Sequence, residues 1–145
     1  MDISGNALSI AQENALFNQV KVSFFQENIL KDLKTLKLKD FTLIISNPPY
    51  IAPSEKAEMS ANVLNYEPHE ALFVPEDRPL LFYEAIADFA LRALKQEGML
   101  FFETGSLFGK SVAEMLRGKG FRNIQLKQDI SGNDRMICAL PCIID

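Results

Sequence analysis

The sequence lacks the features that would place a protein in a membrane, outside the cell or on a nucleic acid. No apolar run approaches the roughly 18 consecutive residues that a membrane-spanning helix requires. No basic segment followed by an apolar one opens the chain, so we do not expect a secretory signal. The 15 basic and 19 acidic residues give a formal net charge of −4. That balance disfavours a domain that binds phosphate backbones through bulk charge.

Cysteine and histidine are scarce, which limits the metal and redox chemistry that the chain can offer. Cys138 and Cys142 lie near the end of the chain with no further ligand beside them. We expect two ordinary thiols in a reducing cytoplasm and no metal site. His69 is the only histidine, and we expect an exposed loop residue rather than an acid–base catalyst.

The spacing of apolar residues predicts one α/β domain over residues 1–145. Helices are expected over residues 4–18, with Ser4 as a cap, over 80–98, with Gly98 as a C-cap, and over 107–120. Strands are expected over residues 20–26, 41–46, 99–104, 123–129 and 134–141. Residues 29–38 suggest a short helix or turn, and residues 51–78 suggest a long loop.

The stretch "LIISNPPYI", residues 43–51, carries the most specific chemical signal. An apolar strand runs directly into a turn stiffened by two prolines, at the carboxyl end of a strand, where open α/β sheets bind their ligands. The loop that follows is free to fold over this turn. Glu103 ends another strand at the same edge, where it either lines the pocket or makes a structural hydrogen bond.

The turn contains the groups needed to hold a flat substrate that carries an NH₂. The prolines have a fixed φ, so their carbonyls point in nearly preset directions. The side-chain oxygen of Asn47 and the carbonyl of Pro48 can accept the two N–H bonds while Tyr50 packs on the flat face. Holding both hydrogens directs the remaining electron pair of the nitrogen, which suits in-line attack on a methyl group. A purely structural turn is the alternative.

Several segments resemble one enzyme family. "SNPPYI" is similar to the signature of S-adenosylmethionine-dependent methyltransferases that act on planar NH₂ groups. "NYEPHEALF" (65–73), "FFETGSLFGKSV" (101–112) and "DISGNDRMICA" (129–139) resemble segments of the HemK-type protein glutamine methyltransferases. The resemblance covers nearly the whole chain. It implies a Rossmann-like α/β methyltransferase fold and S-adenosylmethionine as cofactor. It also implies methylation of the glutamine side-chain amide in the Gly-Gly-Gln loop of peptide chain release factors.

The resemblance also implies roles for individual residues at the substrate site. Asn47 and the Pro48 carbonyl would hold the substrate amide, Pro49 would stiffen the turn, and Tyr50 would pack against the amide. Glu67 lies in the long loop, which can bring it over the pocket; a cap or loop anchor is its alternative role.

The implied cofactor residues lie mostly near the start of the chain. Asp2 matches the acidic residue that binds the ribose hydroxyls, and a carboxylate is a sensible acceptor for a diol. Asn28 and Ile29 stand where the family usually has an aspartate and a large residue beside the adenine. Asn47 lies near the methyl donor in the family.

In the family a strand, a glycine-rich cofactor turn and a small helical domain precede the residue matched by Asp2. We therefore expect the chain to correspond to the C-terminal part of such an enzyme and to bind the cofactor poorly by itself. A tight calorimetric titration with S-adenosylmethionine would refute that expectation. The missing strand would lie beside residues 41–46, so exposed strand edges make self-association possible.

Two other functions stay open. An adenine amino-methyltransferase acting on DNA or RNA would use an equally flat slot for a flipped base, although the acidic balance makes a nucleic-acid substrate unlikely. A non-catalytic fragment that acts only as a binding module is the second alternative.

Overall fold

A computed structural model of the chain describes residues 1–31, 33, 37–59, 61–66 and 68–142. The chain divides into two compact units, residues 1–32 and 33–145, and each is described by itself. None of the helices in the described ranges is long and apolar enough to cross a membrane. Most of the predicted turn or helix over residues 29–38 lies outside the described residues.

The first unit contains helix α1, Gly5–Phe17. Ser4 caps it as predicted, because its hydroxyl oxygen accepts a hydrogen bond from the Ala7 backbone N–H at 3.2 Å. The predicted strand over residues 20–26 is wrong. Only one residue of that segment, Gln26, makes a bridge, and it pairs in parallel with Asp2. A strand needs a partner along its length, and in the described part of the chain this segment has one paired residue.

The second unit contains a four-stranded mixed sheet, which confirms the predicted α/β fold class. The order is β1-β2-β4-β3, in which β1 and β2 are parallel and the other neighbouring pairs are antiparallel. The strands are β1 (Phe41–Ser46), β2 (Leu94–Glu103), β3 (Phe121–Gln128) and β4 (Asp134–Pro141).

Two helices pack on this sheet and form its core. The helices are α3 (Leu81–Ala93) and α4 (Gly109–Gly118). Tyr83 of α3 is fully buried, and its ring meets that of Phe102 of β2 edge to face at 5.2 Å. Val112 and Leu116 of α4 are buried where that helix packs on β3 and β4. Burial of these side chains supplies the hydrophobic stabilisation of the unit.

The predicted helix over residues 80–98 ends earlier than expected, because β2 begins at Leu94 and runs through Gly98. A Cβ atom at residue 98 would lie 2.8 Å from the backbone oxygen of Phe41. Gly98 therefore allows β1 and β2 to approach closely and is not a helix cap.

The predicted long loop over residues 51–78 contains ordered structure. Two 3₁₀ turns, Pro53–Glu58 and His69–Ala71, flank helix α2, Ala61–Tyr66. Local hydrogen bonds explain the first turn, since the Glu55 carboxylate accepts from the Ala52 backbone N–H at 2.9 Å. The loop then returns to its start through a parallel bridge between Ile51 and Phe73.

Strand β1 is buried less than its apolar sequence suggested. It pairs with β2 on one side, and no described residue pairs with its other edge. Leu43 and Ile45 on one face are 47% and 70% exposed. Among the described residues β1 therefore lies at the edge of the sheet, and one of its faces is open.

Candidate functional site

The candidate site lies at the edge of the sheet where β1 and β2 both end. Ser46 pairs with Phe102 in the parallel register, so Asn47 and Glu103 leave the sheet side by side. Strand β4 is antiparallel to β2, with Met136 opposite Glu103. The preceding residue, Arg135, is the second residue of β4 and lies at the same edge. The topology brings three segments that are distant in sequence to one place.

The Asn-Pro-Pro-Tyr turn is held at both ends, and its first residue is exposed to solvent. Strand β1 fixes its start, and the Ile51 backbone N–H, donating to the Leu72 oxygen at 3.1 Å, fixes its end. Pro48 is buried, whereas Asn47 is exposed. No hydrogen bond joins the Asn47 amide to another residue in the described part of the chain.

Tyr50 is half-buried, and its ring lies against the backbone of Gly105. A Cβ atom at residue 105 would lie 2.8 Å from Cδ2 and 3.1 Å from Cε2 of the Tyr50 ring. It would also lie 3.2 Å from Cδ2 of Phe108. Ordinary carbon–carbon contacts are about 3.5–4.0 Å, so the ring occupies the space of the missing side chain.

Charged and phenolic groups surround the Tyr50 ring. Burial raises the pKa of Tyr83 well above its ordinary value, a hydrogen bond from the Gly105 N–H lowers it, and charges on Tyr50 and Glu103 raise it further. Tyr83 therefore stays protonated, and its hydroxyl donates to the Glu103 backbone oxygen at 3.2 Å. That bond uses the backbone of Glu103, so the two roles considered for its half-buried side chain both stay predictions.

The "GNDR" segment forms a hydrogen-bonded turn beside this cluster. The Asp129 carboxylate accepts from the Asn133 and Ser131 backbone N–H groups at 3.0 and 2.9 Å, and from Arg135 Nε at 3.2 Å. These bonds, led by the one from Asn133, hold the pKa of Asp129 below its ordinary value. Arg135 also donates to the Thr104 backbone oxygen at 3.3 Å. The turn thus fixes Arg135 against the backbone that follows β2.

The pKa of Arg135 is raised for several reasons. The hydrogen bond with Asp129 is the largest cause, burial lowers the pKa, and the negative charges of Asp129 and Glu103 raise it. Arg135 is therefore a cation beside two carboxylates. The positive charge of Arg135 balances the negative charge of Asp129 and Glu103.

The predicted cofactor residues Asp2, Asn28 and Ile29 all lie in the first unit. Asp2 is exposed, and its Oδ1 accepts from the Ser4 backbone N–H at 2.8 Å. The bridge to Gln26 sets Asp2 beside the segment that continues to Asn28. This exposed carboxylate fits the chemistry of a ribose diol, since it can accept hydrogen bonds from hydroxyl groups.

Asn28 and Ile29 are both half-buried. The Asn28 side-chain oxygen, which the sequence suggested for the adenine amino group, accepts instead from the Leu30 backbone N–H at 2.9 Å. Its side-chain NH₂ has no partner in the described ranges. Asn28 therefore offers a donor more readily than an acceptor.

The structure gives no information on Glu67, which lies outside the described residues. His69 packs edge to face on Phe73, with ring centroids 5.5 Å apart. Cys138 is buried in β4, Cys142 is exposed, and both are free thiols. Within the described ranges no group of three or more His, Cys, Asp and Glu side chains could hold a metal ion.

Comparison with known proteins relates the chain to one group of enzymes. The methyltransferase small domain family matches residues 1–72. A release factor glutamine methyltransferase from Flavobacterium psychrophilum is 47% identical over 94% of this chain and 47% of its own length. One from Bacteroides thetaiotaomicron is 37% identical over 95% of this chain and 49% of its own length.

The chain is a homologue of the release factor glutamine methyltransferases. It spans about half the length of the curated relatives that it matches. A solved protein-(glutamine-N5) methyltransferase from Alicyclobacillus acidocaldarius has 24% sequence identity and a TM-score of 0.43, covering 70% of this chain and 49% of that one.

The range matched by the methyltransferase small domain contains the site residues that the family resemblance implied, from Asp2 to Glu67, whereas Glu103 lies outside it. The structure adds three residues around Tyr50 that the sequence did not single out, namely Gly105, Tyr83 and Arg135. Gly105 and Arg135 lie within the segments "FFETGSLFGKSV" and "GNDR", so the resemblance contained a signal for them. Tyr83 lies within an ordinary amphipathic helix and had none.

Proposed function

We propose that this protein transfers a methyl group from S-adenosylmethionine to the side-chain amide nitrogen of glutamine in the Gly-Gly-Gln loop of peptide chain release factors. One structural observation carries the proposal. The Asn47 amide is exposed and unpaired among the described residues, in a stiff turn at the carboxyl edge of an α/β sheet. The names of the relatives, release factor glutamine methyltransferases, support the choice of substrate.

The turn acts by orienting the substrate amide. The side-chain oxygen of Asn47 and the backbone oxygen of Pro48 accept its two N–H bonds, and Tyr50 packs against its plane. With both hydrogens held, the electron pair of the nitrogen points in one direction. S-adenosylmethionine, when bound, would supply an electrophilic methyl group whose carbon–sulfur bond breaks as the carbon–nitrogen bond forms. The methylated nitrogen would then lose one of its protons to water. Orientation of this kind contributes roughly 7–11 kcal/mol in favourable intramolecular cases, so we assign most of the catalysis to Asn47 and Pro48.

The first unit supplies the cofactor contacts in this proposal. Asp2 accepts hydrogen bonds from the ribose hydroxyls, Asn28 bonds an edge of the adenine and Ile29 contacts its face. The exposed carboxylate of Asp2 and the Asn28 NH₂, which has no partner among the described residues, support these assignments. Asn47 contributes to the cofactor side as well as the substrate side.

The proposal has three further parts. Glu67 contributes to the substrate site from the loop that follows the turn. Residues 1–145 act as one catalytic domain, and this domain is located in the cytoplasm. The exposed face of β1, and its outer edge, with which no described residue pairs, support self-association through that strand.

Asn47→Ala is the direct test of the proposed substrate site. A Gly-Gly-Gln peptide is incubated with the chain and S-adenosylmethionine, and methylated peptide is counted by mass spectrometry. We expect Asn47→Ala to lower the rate at least about 100-fold, because the amide nitrogen loses one of its two acceptors. Asn14→Ala, an exposed substitution in α1, should leave it unchanged. Equal rates for the two variants would contradict the proposed role of Asn47.

A further inference from the structure

We propose that Gly105 and Tyr83 are positioning residues that set the plane of the Tyr50 ring. This inference rests on the proposed function, in which the Tyr50 ring lies against the substrate amide. Gly105 has no side chain, which leaves room for the Tyr50 ring. Tyr83 holds the neighbouring backbone in place through a hydrogen bond.

The contact requires glycine for reasons of space. A Cβ atom at residue 105 would meet two atoms of the Tyr50 ring, at 2.8 and 3.1 Å. Gly105 is not among the described residues with a positive φ, so its backbone conformation would accept any residue. Residue 105 must therefore be glycine because it needs to lack a side chain, and not because of its backbone conformation.

The backbone at Gly105 is held on both sides, so it cannot shift to relieve a clash. The Tyr83 hydroxyl donates to the Glu103 oxygen at 3.2 Å, and the Gly105 oxygen accepts from the Phe108 N–H at 3.0 Å. Between these residues, the Thr104 N–H donates to the Arg135 oxygen at 2.8 Å, and the Thr104 oxygen accepts from the Arg135 guanidinium at 3.3 Å. An added methyl group must therefore move the Tyr50 ring.

The glycine of helix α4 provides a matched control. A Cβ atom at Gly118 would meet nothing within 4 Å. Gly105→Ala and Gly118→Ala thus add the same methyl group, once against the Tyr50 ring and once in open space.

The first test observes the ring itself and needs no enzymatic activity. The chain contains three tyrosines, so ¹³C-labelled tyrosine should give three ring signals, each assigned by a Tyr→Phe variant. We expect Gly105→Ala to shift the Tyr50 signal and leave that of Tyr66 in place. Gly118→Ala should shift neither. An unmoved Tyr50 signal in Gly105→Ala would overturn the inference.

A second variant covers the case in which Gly105→Ala does not fold. Tyr50→Ala removes both ring atoms that the new methyl group would meet, Cδ2 and Cε2, so the double variant Tyr50→Ala/Gly105→Ala should fold and give a dispersed spectrum. If the double variant also fails to fold, the Tyr50 ring is not the cause of the misfolding, and the inference is contradicted.

The third test separates positioning from general stability. At equal folded fraction, we expect Gly105→Ala to lower kcat for the Gly-Gly-Gln peptide about 10- to 100-fold, with KM changed less than about threefold. Tyr83→Phe should lower kcat in the same direction by a smaller factor. In a Tyr50→Ala background, Gly105→Ala should lower kcat by less than about a further twofold, because the ring is gone. An equal loss in both backgrounds would contradict the inference, whereas an inactive unmodified chain would count against the proposed function and leave the spectral test intact.

Discussion

Ser46 of β1 lies opposite Phe102 of β2 in a parallel register. That single pairing fixes where Asn47 and Glu103 leave the sheet, and it brings the Asn-Pro-Pro-Tyr turn beside the segment that contains Gly105. The same edge receives the start of β4 and hence Arg135. The candidate substrate site is therefore a consequence of strand register as much as of the turn itself.

Thr104→Val tests the packing beneath the site. The Thr104 hydroxyl is fully buried and is the one buried side-chain polar atom in the described ranges without a hydrogen-bond partner. Valine has nearly the same shape and removes the unpaired group, so we expect the free energy of unfolding to rise by about 1 kcal/mol. Urea denaturation measures this, with the exposed Thr42→Val as control, expected to change it by less than about 0.5 kcal/mol. A loss of stability in Thr104→Val would show that the hydroxyl is bound.

Asp129→Asn tests the turn that holds Arg135. The pKa of Asp129 is lowered in the folded state, chiefly by the Asn133 N–H. Its ionised form therefore stabilises the fold above its ordinary pKa of 3.8, and that contribution disappears as the pH falls through the lowered value. We expect the difference in unfolding free energy between the unmodified chain and Asp129→Asn to be largest near pH 6 and to shrink at acidic pH.

The control for this prediction is Asp77→Asn, which removes an exposed carboxylate that has no hydrogen bond among the described residues. Denaturant unfolding at several pH values measures both variants. A difference for Asp129→Asn that stays constant from pH 6 to pH 3 would show that its charge does not stabilise the turn.

Gly98→Ala tests the close approach of β1 and β2. The added Cβ atom would lie 2.8 Å from the Phe41 oxygen and 3.0 Å from the Lys95 oxygen. Both are backbone atoms, so relief requires movement of the strands, and we expect a loss of about 1–3 kcal/mol in unfolding free energy. Thermal or urea unfolding measures it against Gly118→Ala, where nothing lies within 4 Å and alanine should be neutral or stabilising. Equal stability of the two variants would mean that the strands separate easily at this point.

Ile45→Lys tests whether β1 mediates self-association. Ile45 is 70% exposed on the strand whose outer edge is unpaired among the described residues, and a lysine at such an edge opposes strand pairing. We expect sedimentation velocity to show less concentration-dependent association in this variant. Ile130→Lys makes the same change at a fully exposed turn residue and should leave association as it was. A similar decrease in both variants would attribute association to net charge and not to β1.

The sequence predicted those parts of the structure that local signals determine. Ser4 caps α1, and the apolar runs of β1 and β4 formed strands at the predicted positions. The segment from Val20 to Gln26 did not form a strand, because alternation alone cannot supply a partner. Gly98 was predicted to be a helix cap because its close contact with Phe41, a residue distant in sequence, cannot be recognised from the residues around it.

The candidate site shows the same division. The Asn-Pro-Pro-Tyr turn and its place at the edge of the sheet could be predicted from the four residues and the strand before them. The contact of Tyr50 with Gly105 could not, since it depends on the pairing of β1 with β2. The partner of the Asn28 oxygen, Leu30 N–H, depends on a local turn that the sequence pattern did not predict.

A competition assay tests the central claim most directly. The chain is incubated in one tube with S-adenosylmethionine, a release factor and an adenine-containing oligonucleotide, and the products are analysed by mass spectrometry. The account predicts one added methyl group on the Gly-Gly-Gln peptide, and none when Asn47 is replaced by alanine. Methyl groups on the oligonucleotide, or on neither substrate, would contradict it.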